Sequence, residues 1–179
     1  MKKILNRNEL LDLMSDCKIV AEIGVFKGDF SRVINKKLSP TELHLIDKFE
    51  GVVCSGDKDG KNIIWADLTE EYQKLLNWGE SNQNVKIHRG LSYEVMSQFK
   101  DNYFDLVYVD GDHDYLGVKK DLEISFLKIK NSGHLLGHDY TPEFMGVVKA
   151  VNEFCEEKKQ EISIITEDGC PTFVIKIKK

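Results

Sequence analysis

The sequence predicts an α/β fold built on a doubly wound, mostly parallel sheet of seven strands that ends in an antiparallel hairpin. Strand-like and helix-like segments alternate from Lys18 onward, which is typical of parallel strands joined by crossover helices. The last two strand-like segments are separated only by residues 166–171. Because this connection is too short for a crossover helix, we expect these two strands to pair antiparallel.

The first half of the chain is predicted to contain three strands and three helices after a short helix at 6–15. Apolar, β-branched runs predict strands at 18–24, 43–47 and 85–88. Apolar residues at helical spacing predict helices at 30–38, 70–82 and 93–99. The segment 48–64 is rich in Gly, Asp and Lys without periodicity, which predicts the longest loop.

The second half continues the alternation and closes the domain. Strands are predicted at 104–110 and 134–138, and the final hairpin at 162–165 and 172–177. A helix is predicted from Val118 to Ile129, closed by Asn131, Ser132 and Gly133, and another along 144–154. We therefore expect a single domain, 1–179, in which 1–17 form a helical extension over one edge of a ligand crevice.

Composition excludes several classes of partner. The net charge of −5 and the pI near 5.6 leave no broad basic face for nucleic acid. No apolar run is long enough to span a bilayer, so no membrane partner is expected. Four cysteines without C-x-x-C spacing are expected to be reduced thiols, which is typical of a cytoplasmic protein.

A glycine turn follows the first predicted strand. Glu22, Gly24 and Gly28 lie where this strand passes into a helix, and Asp47 ends the next strand. Open α/β sheets bind ligands outside the carboxyl ends of their strands. Glycine permits close approach of a ligand to the backbone, and the carboxylate at the next strand end can accept both hydroxyls of a ribose.

The charge around this turn favours an adenosyl amino acid over a dinucleotide. The dinucleotide pattern G-x-G-x-x-G is absent, because Phe26 stands at its second glycine. A pyrophosphate would be repelled by Glu22 and Asp29, whereas the cationic end of an amino acid suits them. A glycine turn without any ligand remains the alternative.

Acidic and imidazole groups follow two later strands. Asp110 and Asp112 flank a glycine after the strand at 104–110, and His138 and Asp139 end the strand at 134–138. If these groups converge, their repulsion is relieved by a divalent cation such as Mg²⁺ or Mn²⁺, and an imidazole ligand favours Mn²⁺, Fe²⁺ or Zn²⁺. The alternatives are an exposed Asp-Gly-Asp turn, an ordinary strand-end histidine and a helix-capping Asp139.

Segments 21–28, 45–47 and 109–118 resemble the class I S-adenosylmethionine-dependent methyltransferases. Together with 137–140, the last segment resembles the small-molecule O-methyltransferases that include the macrocin and novobiocic-acid sugar methyltransferases. The resemblance extends from about residue 18 to residue 177. It implies a Rossmann-like doubly wound, mostly parallel seven-stranded sheet with a C-terminal antiparallel hairpin.

The resemblance also implies a cofactor site. S-adenosyl-L-methionine would be held by Glu22, Gly24, Gly28, Asp47, Leu91, Ser92 and Asp110. The residues of the glycine turn would shape the methionine side, Asp47 would hold the ribose, and the segment 90–92 would contact the adenine. From the sequence alone, Ser92 is equally an N-cap for the helix at 93–99, and Asp114 is an N-cap for the helix starting at Tyr115.

The same resemblance implies the chemistry. A divalent cation would be bound by Asp110, His138 and Asp139, although related enzymes often carry an acid where His138 stands here. Asp112 matches the proposed general base, and His113 competes for that role. The acceptor would be a hydroxyl of a small molecule such as a sugar.

Two other functions stay open. One is a non-catalytic domain that binds an adenosyl ligand, and the less favoured one is an NAD-linked oxidoreductase. Little material besides 48–64 and the first helix is available to cover an acceptor. A second copy of the chain could therefore complete the site, so a homo-oligomer is one expectation.

Overall fold

The computed structural model describes residues 4–50, 52–54 and 63–179. The strands are β1 (Ile19–Ile23), β2 (Glu42–Asp47), β3 (Val52–Cys54), β4 (Ile63–Ala66), β5 (Val85–Arg89), β6 (Phe104–Val109), β7 (Ile129–Gly137), β8 (Ile162–Ile165) and β9 (Phe173–Lys176). The α-helices are α1 (Arg7–Leu11), α2 (Asp29–Leu38), α3 (Thr69–Ser81), α4 (Ser92–Ser97), α5 (Tyr115–Lys128) and α6 (Met145–Lys158). Short 3₁₀ helices span Asp12–Met14 and Pro142–Phe144. Across the described residues, none of the helices combines the length and hydrophobicity needed to cross a bilayer.

Seven strands form one sheet in the order β5-β2-β1-β6-β7-β9-β8. The first five are parallel, and β9 pairs antiparallel with both β7 and β8. The chain builds outward from β1 to β5 and then returns to place β6 on the other side of β1. The order therefore reverses between β1 and β6, and the predicted fold class with its terminal hairpin is confirmed.

Two main features of the fold differ from the prediction. Where the loop 48–64 was predicted, β3 and the start of β4 pair antiparallel as a separate ribbon, and β4 continues to Ala66; residues 51 and 55–62 lie outside the described residues. Strands of three and four residues are too short to show alternation in the sequence. The second difference is that β7 begins directly after α5, at Ile129 instead of residue 134, so residues 131–133 lie in the strand.

The early start of β7 has a local cause. Ile129 pairs with Phe104, and the register between β6 and β7 then shifts, with Ser132 in the left-handed region at φ 67°. The Asn-Ser-Gly composition of this irregular stretch looks like a loop in the sequence. A smaller difference is that Phe144 lies in the 3₁₀ turn before α6 and not in the helix itself.

The central strand β6 separates the hydrophobic core into two clusters, one on each face of the sheet. Leu106 and Tyr108 are buried on one face, with residues of α1, α2 and α3. Val107 and Val109 are buried on the other face, with residues of α5 and α6. A strand buried on both faces is mostly apolar, as β6 is apart from Asp105 near its start, and this is why the sequence predicts it so clearly.

At the opposite edge from the strand ends discussed below, Asp105 ties three strands together. Its Oδ2 accepts hydrogen bonds from the backbone N–H groups of Lys18 and Ile19, at 2.9 and 2.8 Å. Its Oδ1 accepts a bond of 2.6 Å from Lys130 Nζ. Burial acts to raise the pKa of Asp105, but these hydrogen bonds outweigh burial and hold it below its ordinary value near 3.8.

We predict that Asp105→Asn lowers the free energy of unfolding at pH 7 by about 1–3 kcal/mol, because the start of β1 loses charge-assisted hydrogen bonds. The lowered pKa means that this stability exists above about pH 4 and is lost as pH falls through the folded-state pKa. Urea unfolding at pH 7 and pH 3 should therefore show a smaller difference at the lower pH. Asp16→Asn, at an exposed aspartate of the preceding turn, is the control; an equal loss in both variants would contradict the prediction.

Candidate active site

Backbone hydrogen bonds continue past the carboxyl ends of the five parallel strands. Residues that follow or end one strand bond to the neighbouring strand at 2.8–3.0 Å: Gly24 to Ile46, Asp110 to Ile23, His138 to Val109 and Gly90 to Asp47. These bonds bring the sequence motifs of four loops to one edge of the sheet. That edge includes the point between β1 and β6 where the strand order reverses, which is where such sheets bind ligands.

The glycine turn after β1 is packed against the end of β6. Gly24 has φ +83°, and a Cβ there would collide with the backbone carbonyl of Asp110. Gly28 has φ +76° at the N-cap of α2, where a Cβ would collide with Leu75. Glycine is therefore required at 24 by the contact between two strand ends, before any ligand is considered.

Asp47 holds the shape of this turn. Its Oδ2 accepts hydrogen bonds from the N–H groups of Val25 and Phe26, at 2.8 and 2.9 Å, and its Oδ1 accepts one of 2.8 Å from Phe49. Phe26 is in the left-handed region at φ 54°. With about two acceptor positions on each oxygen, Oδ1 keeps roughly one for a ribose hydroxyl. Asp47 thus shapes the turn and retains some capacity for a ligand.

Glu22 lies beneath the turn. The residue is 1% exposed and accepts a hydrogen bond from Ser31 Oγ on α2. Burial raises the pKa of Glu22 to about 8 despite this bond. Glu22 therefore joins β1 to α2 under the surface on which the methionine side of the cofactor was predicted to lie.

The predicted adenine segment borders an open cleft of about 500 Å³, a volume typical of ligand sites. Its lining residues are Lys48, Glu50, Arg89, Gly90, Leu91 and Glu94. Leu91 is the N-cap residue of α4, and Ser92 is the first helical residue, so the predicted capping role of Ser92 is wrong. The Ser92 hydroxyl instead bonds the Asp121 carboxylate.

Asp121 is a buried acid beside the candidate site that the sequence interpretation missed. It is 4% exposed on α5, and burial raises its pKa to about 6. Its carboxylate links α5 to the cleft segment through Ser92. The signal was present in the sequence, because an acid at helical spacing with Val118 and Leu122 falls on a buried stripe.

The acidic groups after β6 and β7 do converge. Asp139, in the left-handed region at φ 60°, meets His113 Nε2 with its Oδ2 at 2.8 Å and His138 Nδ1 with its Oδ1 at 3.2 Å. Asp110 Oδ1 is 3.6 Å from the same Nδ1 atom. Asp139 is therefore part of the cluster, and the alternative that it caps a helix is wrong, since the turn at Pro142 has Thr141 as N-cap.

Imidazoles balance the charge of these carboxylates. Burial acts against a charged His138, but its bonds with Asp110 and Asp139 outweigh burial and raise its pKa to about 9. The Asp139 bond likewise raises the pKa of His113, against the effect of burial. Burial acts to raise the pKa of Asp139, yet the two imidazoles hold it far below its usual range.

Asp110, His113 and Asp139 form a donor set that suits a divalent cation. Each offers one ligand atom, and these atoms lie within 4.8 Å of one another. A cavity of about 10 Å³, room for about one ion or water, lies among them. Two carboxylates with one imidazole fit Mn²⁺ or Mg²⁺. The structure thus brings His113 into the group, while the predicted His138 stands beside it.

Asp112 is exposed and stabilises the turn into α5. Its Oδ1 accepts hydrogen bonds from the N–H groups of His113 and Asp114, at 2.8 and 3.2 Å. Asp114 caps α5 by accepting a bond of 2.9 Å from the Gly117 N–H, which confirms that prediction. Within the described part of the chain, Asp112 Oδ2 makes no hydrogen bond, so it stays available to a substrate.

Arg7 enters the site from α1, the first helix of the predicted N-terminal extension, which packs against α2. Arg7 Nη1 lies 3.3 Å from the Tyr108 hydroxyl and 3.2 Å from Asp110 Oδ2. Its guanidinium stacks on the Phe30 ring, 4.3 Å from the centroid. An isolated arginine ahead of the first strand carries no motif, so nothing in the sequence indicated this contact.

The reversal of strand order, the glycine turn and the terminal hairpin together define a class I S-adenosylmethionine-dependent methyltransferase. A family model described as a methyltransferase domain matches residues 21–140. The chain belongs to this methyltransferase family.

Several solved structures share this fold. The O-methyltransferase NovP is 18% identical, with a TM-score of 0.73 over 97% of this chain and 80% of that one. An O-methyltransferase family protein from Burkholderia thailandensis is 10% identical, with a TM-score of 0.64 over 95% of this chain and 55% of that one. Fibrillarin from Aeropyrum pernix, solved with natively bound S-adenosyl-L-methionine, is 10% identical. Its TM-score is 0.60 over 88% of this chain and 66% of that one. Among curated proteins, no sequence matches this chain.

We predict that Gly24→Ala destabilises the protein by about 2 kcal/mol or more, because it combines a positive φ with a collision against the Asp110 carbonyl. Gly169→Ala is the matched control, since a Cβ at Gly169 meets nothing within 4 Å. Urea unfolding of both variants measures the difference. A loss under about 0.5 kcal/mol for Gly24→Ala would contradict the close approach described above.

Proposed function

We propose that this enzyme transfers a methyl group from S-adenosyl-L-methionine to a hydroxyl of a small molecule such as a sugar, with the assistance of a divalent cation. The observation that carries the proposal is the convergence of Asp110, His113 and Asp139 beside the glycine turn. Likeness to the O-methyltransferase NovP supports oxygen as the acceptor atom.

The cofactor would lie along the edge of the sheet. Its methionine end would face the turn between Gly24 and Gly28, and its ribose would reach Asp47. The adenine would enter the cleft beside Leu91 and Ser92. The methionine, ribose and adenine parts would thus lie in turn at the ends of β1, β2 and β5, which backbone hydrogen bonds join.

Asp110, His113 and Asp139 would hold the cation, with His138 as the neighbouring imidazole. When bound, such a cation lowers the pKa of a nearby hydroxyl and fixes its position. The replacement of an acid by His138 favours Mn²⁺ over Mg²⁺ if that imidazole takes part.

The reaction asks for alignment and for removal of one proton. S-adenosyl-L-methionine would supply a methyl group already activated by its sulfonium and would leave as S-adenosylhomocysteine, while the glycine turn and Asp47 would hold it in alignment with the acceptor hydroxyl. The hydroxyl proton passes to Asp112, whose Oδ2 makes no hydrogen bond among the described residues. His113 takes this role instead if the cation is held by His138.

The acceptor is proposed to be small and the enzyme to work in the cytoplasm. The net charge of −5 supports neither nucleic acid nor an anionic membrane as partner. The Phe144 ring lies against His113, with ring centroids 4.8 Å apart, and would give one apolar wall to the acceptor side. A second copy of the chain could supply another.

We expect S-adenosylmethionine at 100 times its Kd to stabilise the protein by about 2.7 kcal/mol, and NAD to leave the melting temperature unchanged. Differential scanning fluorimetry measures both. The companion assay follows S-adenosylhomocysteine release with a panel of hydroxylated sugars in Mg²⁺ or Mn²⁺. Stabilisation by NAD alone would indicate an oxidoreductase, and stabilisation without turnover on any acceptor would favour a binding domain.

We expect MnCl₂ to raise the melting temperature of the wild type but not of Asp139→Asn, which loses a carboxylate of the donor set. Turnover of the variant should fall by about 10- to 100-fold. Asp101→Asn, at an exposed aspartate paired with Lys128, is the control and should keep both properties. Full activity in excess EDTA, or an unchanged response of Asp139→Asn to MnCl₂, would reject the cation.

A further inference from the structure

We propose that Arg7 binds the α-carboxylate of the cofactor and makes the site select S-adenosylmethionine over its decarboxylated form. The inference rests on the proposed function, since it assigns a residue to one end of that cofactor. Arg7 lies outside residues 21–140, to which the family match extends.

The first argument is the balance of charge. The methionine end of the cofactor carries an ammonium and a carboxylate, and the sulfonium lies next to them. Asp47 and Asp110 suit the cationic groups but repel the carboxylate. Arg7 brings a positive charge to this end of the site, because its guanidinium forms an ion pair with Asp110.

The second argument is unused hydrogen-bonding capacity. Both polar contacts of Arg7, to the Tyr108 hydroxyl and to Asp110 Oδ2, use Nη1. Within the part of the chain that the structure describes, Nη2 and Nε of Arg7 make no hydrogen bond. A guanidinium binds a carboxylate through two parallel N–H groups, so one edge of the fork remains for such a partner. The side chain is 32% exposed and thus open to a ligand.

The third argument is that the guanidinium is held in place before a ligand arrives. Asn6 caps α1 by accepting hydrogen bonds of 3.0 Å from Asn8 and Glu9. Leu10 and Leu11 of the same helix are fully buried. The guanidinium itself stacks on Phe30, in the first turn of the helix that follows the glycine turn. Little side-chain freedom is left to lose on binding.

Calorimetric titration with S-adenosylmethionine and with decarboxylated S-adenosylmethionine tests the proposal. The wild type should bind the first more tightly. Arg7→Gln should weaken S-adenosylmethionine about 10- to 100-fold, the loss of a charge-assisted pair of bonds, and change the decarboxylated ligand less than about threefold. Arg7→Lys should fall between, because it keeps the charge but not the fork.

Lys37→Gln is the matched control. Lys37 Nζ bonds Asp12 at 2.6 Å and so joins the same N-terminal segment to α2, away from the crevice. This variant removes one positive charge and should bind both ligands as the wild type does.

Three results would overturn the proposal. Equal weakening of both ligands by Arg7→Gln would mean that Arg7 only supports the fold of the site. Equal affinity of the wild type for the two ligands would show that the carboxylate is not recognised, and this test needs no variant to fold. Failure of the wild type to bind either ligand would reject the proposed function together with this inference.

Discussion

The site depends on one constraint, the alignment of five parallel strands so that their backbone hydrogen bonds continue beyond the strand ends. The bond from Gly24 to Ile46 fixes the loop after β1 to β2, and the bond from Asp110 to Ile23 fixes the loop after β6 to β1. The same alignment forces the backbone of Gly24 against the carbonyl of Asp110. Motifs that are more than eighty residues apart in sequence therefore share one edge because of sheet register alone.

Charge is the second constraint on this edge. Gathering carboxylates at one place costs free energy unless each has a partner. Each of these carboxylates has partners close by. Asp47 accepts hydrogen bonds from three backbone N–H groups, and Asp139 contacts two imidazoles. Asp110 lies between His138 and Arg7. Glu22, which has only a hydroxyl, is instead kept largely neutral at pH 7 by burial.

The sequence predicted what local pattern and register determine. The apolar run of β6, the glycine turn and the Asp114 cap each depend on neighbours in the chain, and all three are found. The ribbon of β3 and β4 and the start of β7 were missed, because short or irregular strands lack a period. The choice between His113 and His138 depends on side-chain direction, which spacing does not encode. Arg7 depends on the packing of a separate helix, and no residue near it in sequence indicates that contact.

Asp110 presents its two oxygens to different neighbours, Oδ2 to Arg7 and Oδ1 to His138. One carboxylate thus joins the group nearest the glycine turn to the group nearest the acidic cluster. Under the proposed function, the cofactor and a cation would lie on either side of it, and their binding would be thermodynamically linked because each would alter the charge that the other meets. Linkage is reciprocal, so whatever factor a cation applies to cofactor affinity, the cofactor must apply to cation affinity. The order in which the two ligands bound would then change the path to the proposed ternary complex and not its final stability.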